Sequence, residues 1–383
     1  MARHLVLGAG GIGVATAEAL AATGGDVVLV SRSGRDPGLA GVTAYALDVA
    51  DAAALTDLAR GAQTLVNALN PTAYTHWERD WPPMASAILD AAEASGARLI
   101  TVSNLYGYGR VDAPMTESTP LSPNGTKGEV RARMWSEALE RQTAGRVRVA
   151  EVRGSDYIGP KTLGSSLVSS MLIPKVLAGK TAWMPMGRTD VPHSWTVDLD
   201  VAALVRAIAA SDEPDVWGRV WHVPTAGPAT MAEVGDLVVD VGGVEGARVR
   251  AMPRSVVTVG GLVVPLLGEL RETRHQFERP FVLDSTAAQT RLGLRPTPLS
   301  PAGCRRWRVR PGRQQTWPWE RRPRRGHRHR RRRRRHPGGR PPRSAPVRAF
   351  DTTSPDLHVP DLRASMAARG YRERHDRVAR RGW

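Results

Sequence analysis

Apolar runs of four to seven residues recur through the first half of the chain, and stretches with helical hydrophobic spacing separate them. The runs at His4–Gly8, Val27–Arg32, Val42–Leu47, Thr64–Leu69, Arg98–Ser103 and Arg146–Val152 predict strands. Between them, Ile12–Ala22, Ala52–Arg60, Pro83–Ser95 and Glu129–Thr143 predict helices, the last with Val130, Met134, Ala138 and Leu139 on one face. Strands that are apolar along their whole length are covered on both faces, so the alternation predicts an α/β fold with a doubly wound parallel sheet. After Gly159 the pattern loosens. Leu167–Leu177, Leu199–Ala209 and Met231–Val241 read as helices and Val220–Val223 as a strand, with frequent Pro and Gly between them. This predicts a doubly wound unit over 1–160 and a smaller lobe over 161–300, some of whose segments return to the sheet. The longest apolar stretch, Val256–Gly268, contains Gly260, Gly261 and Pro265. It is short of the ~20 residues that span a bilayer and predicts a buried helix.

Charge changes the picture only beyond residue 300. The net charge is +17, but from Pro301 on there are 26 arginines against six acidic residues, a net of +20, which leaves residues 1–300 at −3. The body is therefore an ordinary, slightly acidic globular protein. The segment 301–383 carries the run Arg330–Arg335, many prolines and almost no apolar periodicity, which predicts disorder. Nucleic acid could be held only there, by phosphate contacts of the arginines and stacking on Trp307, Trp317, Trp319 and Trp383. The abrupt change of composition near Ser300 also fits an out-of-frame reading of an arginine-codon-rich gene, and resequencing near codon 300 separates the two. A single cysteine, Cys304, excludes an intrachain disulfide framework. With no signal-peptide pattern at the N-terminus, the expectation is a cytoplasmic protein without membrane contact, working on a small molecule, with a homodimer allowed.

The most specific motif is Gly8-Ala9-Gly10-Gly11-Ile12-Gly13, directly after the first strand and opening the first helix. Gly8 permits the tight turn, Gly10 lets backbone approach a pyrophosphate, and Gly13 lets helix and strand pack closely. The phosphates would sit on the free N–H groups of that helix, with Gly11 and Ile12 at its start. This is the mark of a Rossmann domain. The nucleotide's ribose is read roughly 20 residues further on, where an acidic residue would select NAD. Ser31-Arg32-Ser33 stands there instead, with Arg35 close behind. An arginine and hydroxyls suit a 2′-phosphate, so NADP(H) is the expected cofactor, with NAD(H) the alternative. The ten histidines show no metal-ligand spacing.

Taken together these residues resemble the extended short-chain dehydrogenase/reductase superfamily, in its NAD-dependent epimerase/dehydratase group, over about residues 3–300. The resemblance makes Asp48-Val49 the adenine-contacting pair and Asn67-Ala68 the turn beside the nicotinamide ribose. It makes Thr101-Val102-Ser103 through Tyr106-Gly107 the Ser-to-Tyr-Gly run, and Arg153-Gly154 through Tyr157-Ile158-Gly159-Pro160 the segment after the sixth strand. His193 through Asp198, followed by Asp200, matches a stretch that enters the second lobe. The family's catalytic Tyr, four residues before a Lys, has no counterpart, because Lys127 is preceded at that spacing by Pro123. Three readings stay open. Lys127 is itself the acid or base beside Ser103, as in the isoflavone-reductase-like branch; or Tyr106 or Tyr108 supplies the phenol; or the protein binds cofactor without turnover, as the nitrogen-metabolite-repressor-like redox sensors do. Lys127 holding the nicotinamide ribose is compatible with all three. His193 and Trp195 are expected to be a buried pair, while Tyr74, Trp77 and Trp81 either wall a substrate pocket or pack between lobes.

Overall fold

The structure is a computed structural model that describes residues 1–71, 74–162, 166–261 and 265–305. In chain order its first half runs β1 (Arg3–Leu7), α1 (Gly11–Ala21), β2 (Asp26–Ser31), β3 (Val42–Ala46), α2 (Ala52–Ala59), β4 (Thr64–Asn67), α3 (Trp77–Ser95), β5 (Arg98–Asn104), α4 (Thr126–Thr143) and β6 (Val149–Gly154). The second half adds β7 (Asp156–Ile158), α5 (Leu167–Leu177), β8 (Ala182–Met184), β9 (Trp195–Val197), α6 (Asp198–Ala209), β10 (Arg219–His222), α7 (Met231–Gly242) and β11 (Val249–Ala251). It closes with α8 (Arg254–Gly260), α9 (Pro265–Thr273), α10 (Thr286–Arg291) and α11 (Pro301–Arg305). Seven strands form one parallel sheet in the order β10-β6-β5-β4-β1-β2-β3. The chain winds outward from β1 to β3, then crosses back to β4 and winds the other way, so the switch point lies between β1 and β4. The α/β doubly wound sheet of Rossmann type is thus the observed fold.

Side-chain alternation divides the core between the two faces of the sheet. On one face Val6, Leu29, Val66, Ile100 and Val152 pack with α1 and α6; on the other Leu5, Leu7, Val28, Val30, Leu65 and Leu99 pack with α2, α3 and α4. Each such fully buried aliphatic side chain contributes about 1.5–3 kcal/mol relative to exposure. Helix α1 is rich in Gly and Ala and lies close to the sheet, because few bulky side chains hold it off. A third cluster, with Leu172, Met184, Trp195, Met231 and Phe277, is assembled from α5, β8, β9, α7 and the turn after α9.

Several expectations shift. The stretch 256–268 does not make one buried helix. It breaks at Gly260-Gly261 into α8 and α9, and α8 leaves Val256 and Val259 exposed (54% and 64%) while burying Val257. Helix α3 begins at Trp77, six residues before Pro83, and carries Pro82 and Pro83 inside it. Two missing backbone hydrogen bonds are tolerated there because that extra turn buries Trp77 and Trp81. Strand β10 joins the main sheet beside β6 and is one of the segments after residue 161 that return to it, which is no departure from expectation. Residues 301–305, placed in the disordered tail by composition, form α11 with Cys304 buried, and burial pushes its thiol up to about 11. The disorder expected of residues 306–383 lies outside the described residues. Among the described residues no helix is long and apolar enough to cross a membrane.

Asp198, at the start of α6, is fully buried. Its carboxylate accepts the Lys161 N–H at 2.7 Å, yet burial outweighs that and pushes the carboxyl up to about 6. In the unfolded chain the proton leaves near pH 4, so between about pH 4 and 6 only the unfolded state has released it. This group's contribution to stability therefore falls as pH rises through that window and is level above it. We expect urea midpoints of Asp198→Asn to lack that part of the slope, a difference on the order of 3 kcal/mol across the window. Parallel pH profiles of the two proteins would refute the assignment.

Candidate functional site

The glycine motif forms a cradle at the carboxyl end of β1. Gly8 turns with φ +109°, which a side chain rarely adopts, and its N–H donates to the Val30 carbonyl at 2.8 Å. Gly10 is the N-cap of α1, and a Cβ there would meet nothing within 4 Å among the described residues, so its face is open to them. Gly13 is different, since a Cβ on it would overlap the Gly8 carbonyl oxygen, and one on Gly11 would overlap the Lys161 carbonyl oxygen. The first bond inside the helix is from the Val14 N–H to the Gly10 carbonyl at 2.9 Å, which leaves the N–H groups of Gly11, Ile12 and Gly13 ahead of the ladder.

From this cradle a cleft of about 750 Å³ runs along the carboxyl ends of β1 to β5, within the size range of small-molecule and cofactor sites. Of the residues expected to bind cofactor, the structure brings together Gly8, Gly10, Gly11, Ile12, Ser31, Arg32, Asp48, Val49 and Ala68 on its walls. The Ser31 hydroxyl is buried there with no hydrogen-bond partner among the described residues. Arg32 is exposed at the rim, with Asp80 close enough to feel its charge. Asp48 accepts the Ala50 N–H at 3.1 Å, an Asx-type turn that presents Val49. Asn67 ends β4 but is buried, with Oδ1 accepting the Leu69 N–H at 3.2 Å, and Ala68 to Pro71 form the wall in its place. A diphosphate-sized anion fits this cradle: backbone is open at Gly10, N–H groups ahead of the helix ladder face it, and the buried Ser31 hydroxyl lacks a partner among the described residues.

At the far end lie Val102, Ser103, Asn104, Arg131 and Tyr157. Ser103 reaches the cleft as expected; Lys127 does not. The residue is 3% exposed, and its ammonium group pairs with Glu269 and, at 3.0 Å, with Glu272, both on α9. Glu272 also accepts the Lys127 backbone N–H at 2.6 Å and so caps the first turn of α4. Tyr106 stands beside Trp77, ring centroids 6.1 Å apart, and its N–H donates to Asn104 Oδ1 at 3.1 Å. Tyr108 is sealed in. Its hydroxyl lies 2.7 Å from His222 Nε2, its ring lies under the Arg153 guanidinium, and burial raises its phenol above the usual range. Arg153 in turn pairs with Glu151 at 2.8 Å, both on the fully buried β6. Pairing of this kind lets two charges sit inside a sheet.

Trp77 and Trp81 pack with Val130 and meet edge to face, as core residues rather than open walls; the side chain of Tyr74 lies outside the described residues. His193 and Trp195 are a buried pair. His193 stacks on Phe277 at 4.5 Å, with Nδ1 3.1 Å from the Gln276 carbonyl and Nε2 2.8 Å from Asp156. Sequence reasoning missed Arg131, Asn70, Asn104 and Tyr157 as cleft residues. For Arg131 a signal was present in its spacing of four from Lys127 on the same helix. Tyr157 stood within the segment after the sixth strand with no role attached.

The sequence profile of the NAD dependent epimerase/dehydratase family matches residues 4–223, more than half of the chain. The chain belongs to that family. No curated protein matches it. Among solved structures, this family member is similar to a dTDP-glucose 4,6-dehydratase of Streptomyces venezuelae with NAD bound: 20% identity, TM-score 0.62, covering 80% of this chain and 96% of that one. It is also similar to a UDP-glucose 4-epimerase of Thermotoga maritima with UDP-glucose: 17% identity, TM-score 0.63, covering 79% and 99%. A Bordetella bronchiseptica enzyme in complex with NAD⁺ gives 19% identity, TM-score 0.59 and coverage of 80% and 98%. At these identities the likeness establishes the fold alone.

Proposed function

We propose that this epimerase/dehydratase family member is an NAD(P)-dependent oxidoreductase or epimerase-like enzyme of the cytosol, acting on a small carbonyl, hydroxyl or sugar-like substrate. The observation that carries the reading is the cradle at Gly8, Gly10 and Gly13 opening into a cleft lined by Ser31, Arg32, Asp48 and Ser103. The diphosphate lies on the N–H groups of Gly11 and Ile12, the adenine against Asp48 and Val49, and the nicotinamide end near Ala68 and Ser103. Segments from 161 on supply the substrate side. When bound, the cofactor supplies reversible hydride transfer.

Ser31 and Arg32 favour NADP(H) over NAD(H), because a guanidinium and a hydroxyl can hold a 2′-phosphate dianion. We expect Arg32→Ala to weaken NADPH binding by about 10- to 100-fold, the 1.4–3 kcal/mol of a charge-assisted contact, and to leave NADH within about twofold. Calorimetric titrations of both dinucleotides check this. Equal losses for both would remove Arg32 from the site, and a wild type that prefers NADH would overturn the NADP(H) assignment.

A second reading, a redox sensor that binds cofactor without turnover, is favoured by one observation: Lys127, the expected catalytic lysine, is occupied by Glu269 and Glu272. NADPH oxidation over a panel of carbonyl compounds separates the two.

A further inference from the structure

With Pro123 in place of the family's tyrosine and Lys127 engaged by α9, the proton-handling group has to come from elsewhere on the cleft wall. At the end of the cleft beside Ser103 the ionisable side chains among the described residues are Arg131 and Tyr157. Arg131 lies one turn beyond Lys127 on α4, lines the cleft beside Ser103 and Asn104, and donates to Asn70 Oδ1 at 3.2 Å. Its guanidinium is spread over the faces of Trp77 and Trp81, 5.0 and 4.4 Å from their ring centres, which fixes its plane. Tyr157 comes from β7. Its hydroxyl donates to the Ser103 backbone carbonyl, and its ring lies against Gly154, where a Cβ would come within 2.7 Å of a ring carbon. The glycine before it and the strand end across from it thus set the phenol at the expected reaction end of the cleft.

We propose that Tyr157 is the proton donor of this enzyme and Arg131 the cation that holds its phenolate, in the roles the family resemblance gave to a Tyr and a Lys on one helix. The proposal rests on the dinucleotide reading above. Were a bound reduced nicotinamide dinucleotide to supply hydride to a carbonyl carbon in the cleft, the carbonyl oxygen would take the proton of Tyr157 Oη, which would exchange its hydrogen bond to Ser103 for one to the substrate. The phenol O–H bond breaks, the alcohol O–H bond forms, and the negative charge left on Oη is stabilised by the charge of Arg131 at the same end of the cleft until a solvent proton restores the phenol. Burial raises the phenol of Tyr157 and the charge of Arg131 draws it back. The phenol is therefore neutral at pH 7 and carries the proton that a carbonyl oxygen needs in the reducing direction.

Tyr157→Phe keeps the ring and removes only the hydroxyl. In the full chain we expect it to bind NADPH within about twofold of wild type and to lower NADPH-dependent reduction over a carbonyl panel by about 100-fold or more. A second readout needs no turnover. A fluorinated tyrosine in place of Tyr157, followed by fluorine NMR, should ionise at lower pH with NADP⁺ than with NADPH, since only the oxidised ring is positive. Arg131→Met should raise its midpoint by about one unit. Undiminished turnover in Tyr157→Phe, or a midpoint indifferent to the redox state of the cofactor and to Arg131, overturns the proposal. If the panel holds no substrate, the fluorine midpoint alone decides. Failure of the underlying reading is distinct from either: wild-type protein would give no binding heat with any nicotinamide dinucleotide.

Discussion

Gly10→Ala is expected to fold normally and to lose its dinucleotide, whereas Gly13→Ala is expected to lose stability itself. The two glycines are three residues apart in one motif but do different work. A methyl at Gly10 meets no atom of the described residues within 4 Å, and the N-cap backbone there is extended at φ −75°, ψ 177°, open to any residue. The change costs folding about 1 kcal/mol or less, through the poorer N-cap. On the proposed reading, however, the methyl would stand where the diphosphate approaches the helix start. Affinity should fall by about 30- to 100-fold, some 2–3 kcal/mol. At Gly13 a methyl would overlap the Gly8 carbonyl oxygen. Many dinucleotide loops accept alanine at this position; here helix and strand are too close. Relief requires moving α1 off the sheet, a repacking that costs about 2–4 kcal/mol. Thermal melts and calorimetric titrations on both variants test the division. Equal melting points, or equal binding of the Gly10 variant and wild type, would contradict it.

Lys127→Met is expected to be among the most destabilising single changes outside the apolar core. The lysine is buried at the start of α4, and the glutamates it holds are themselves largely covered, with side chains 30% and 19% exposed. Removing the cation leaves two carboxylates facing each other across the position it filled. Breaking a buried pair in this way costs about 3–5 kcal/mol, and partial exposure of Glu269 brings the expectation to about 2–4 kcal/mol. The sign is diagnostic. Were Lys127 a cofactor-binding or catalytic group, its loss would lower activity at little cost to the fold, because such sites are not arranged for stability. A further change, Glu269→Gln in the Lys127→Met background, should recover part of the loss by removing one of the opposed charges. Urea denaturation of the three proteins measures this. A Lys127→Met variant as stable as wild type would show that the ion pairs with α9 contribute nothing.

The parts of this protein that can be read from the sequence are those set by local periodicity. Unbroken apolar runs such as Leu5–Leu7 and Val27–Val30 show a sheet covered on both sides, and they form the interior strands β1 and β2. Gly8 and Gly13 could be read because backbone constraint leaves no substitute for glycine. What could not be read was set by contacts distant in sequence. Glu269 and Glu272 reach Lys127 across 142 and 145 residues, and nothing near Lys127 marks it as taken. Tyr157 reaches Ser103 across 54 residues and Arg131 reaches Asn70 across 61. The helix expected over 256–268 failed for another reason: apolar content was taken as burial, whereas paired glycines break the segment and turn Val256 and Val259 outward. The start of α3 was missed because two prolines argue against a helix that two buried tryptophans hold together.

The central claim is that a nicotinamide dinucleotide rests its diphosphate on the cradle of Gly8, Gly10 and Gly13. Isothermal calorimetry of the full chain against NADPH and NADP⁺ tests it most directly. Saturable heat at one site per chain is expected, abolished or strongly weakened in Gly10→Ala protein that melts like wild type. Folded wild-type protein that gives no heat with either dinucleotide, or a Gly10→Ala variant that binds both undiminished, would contradict it.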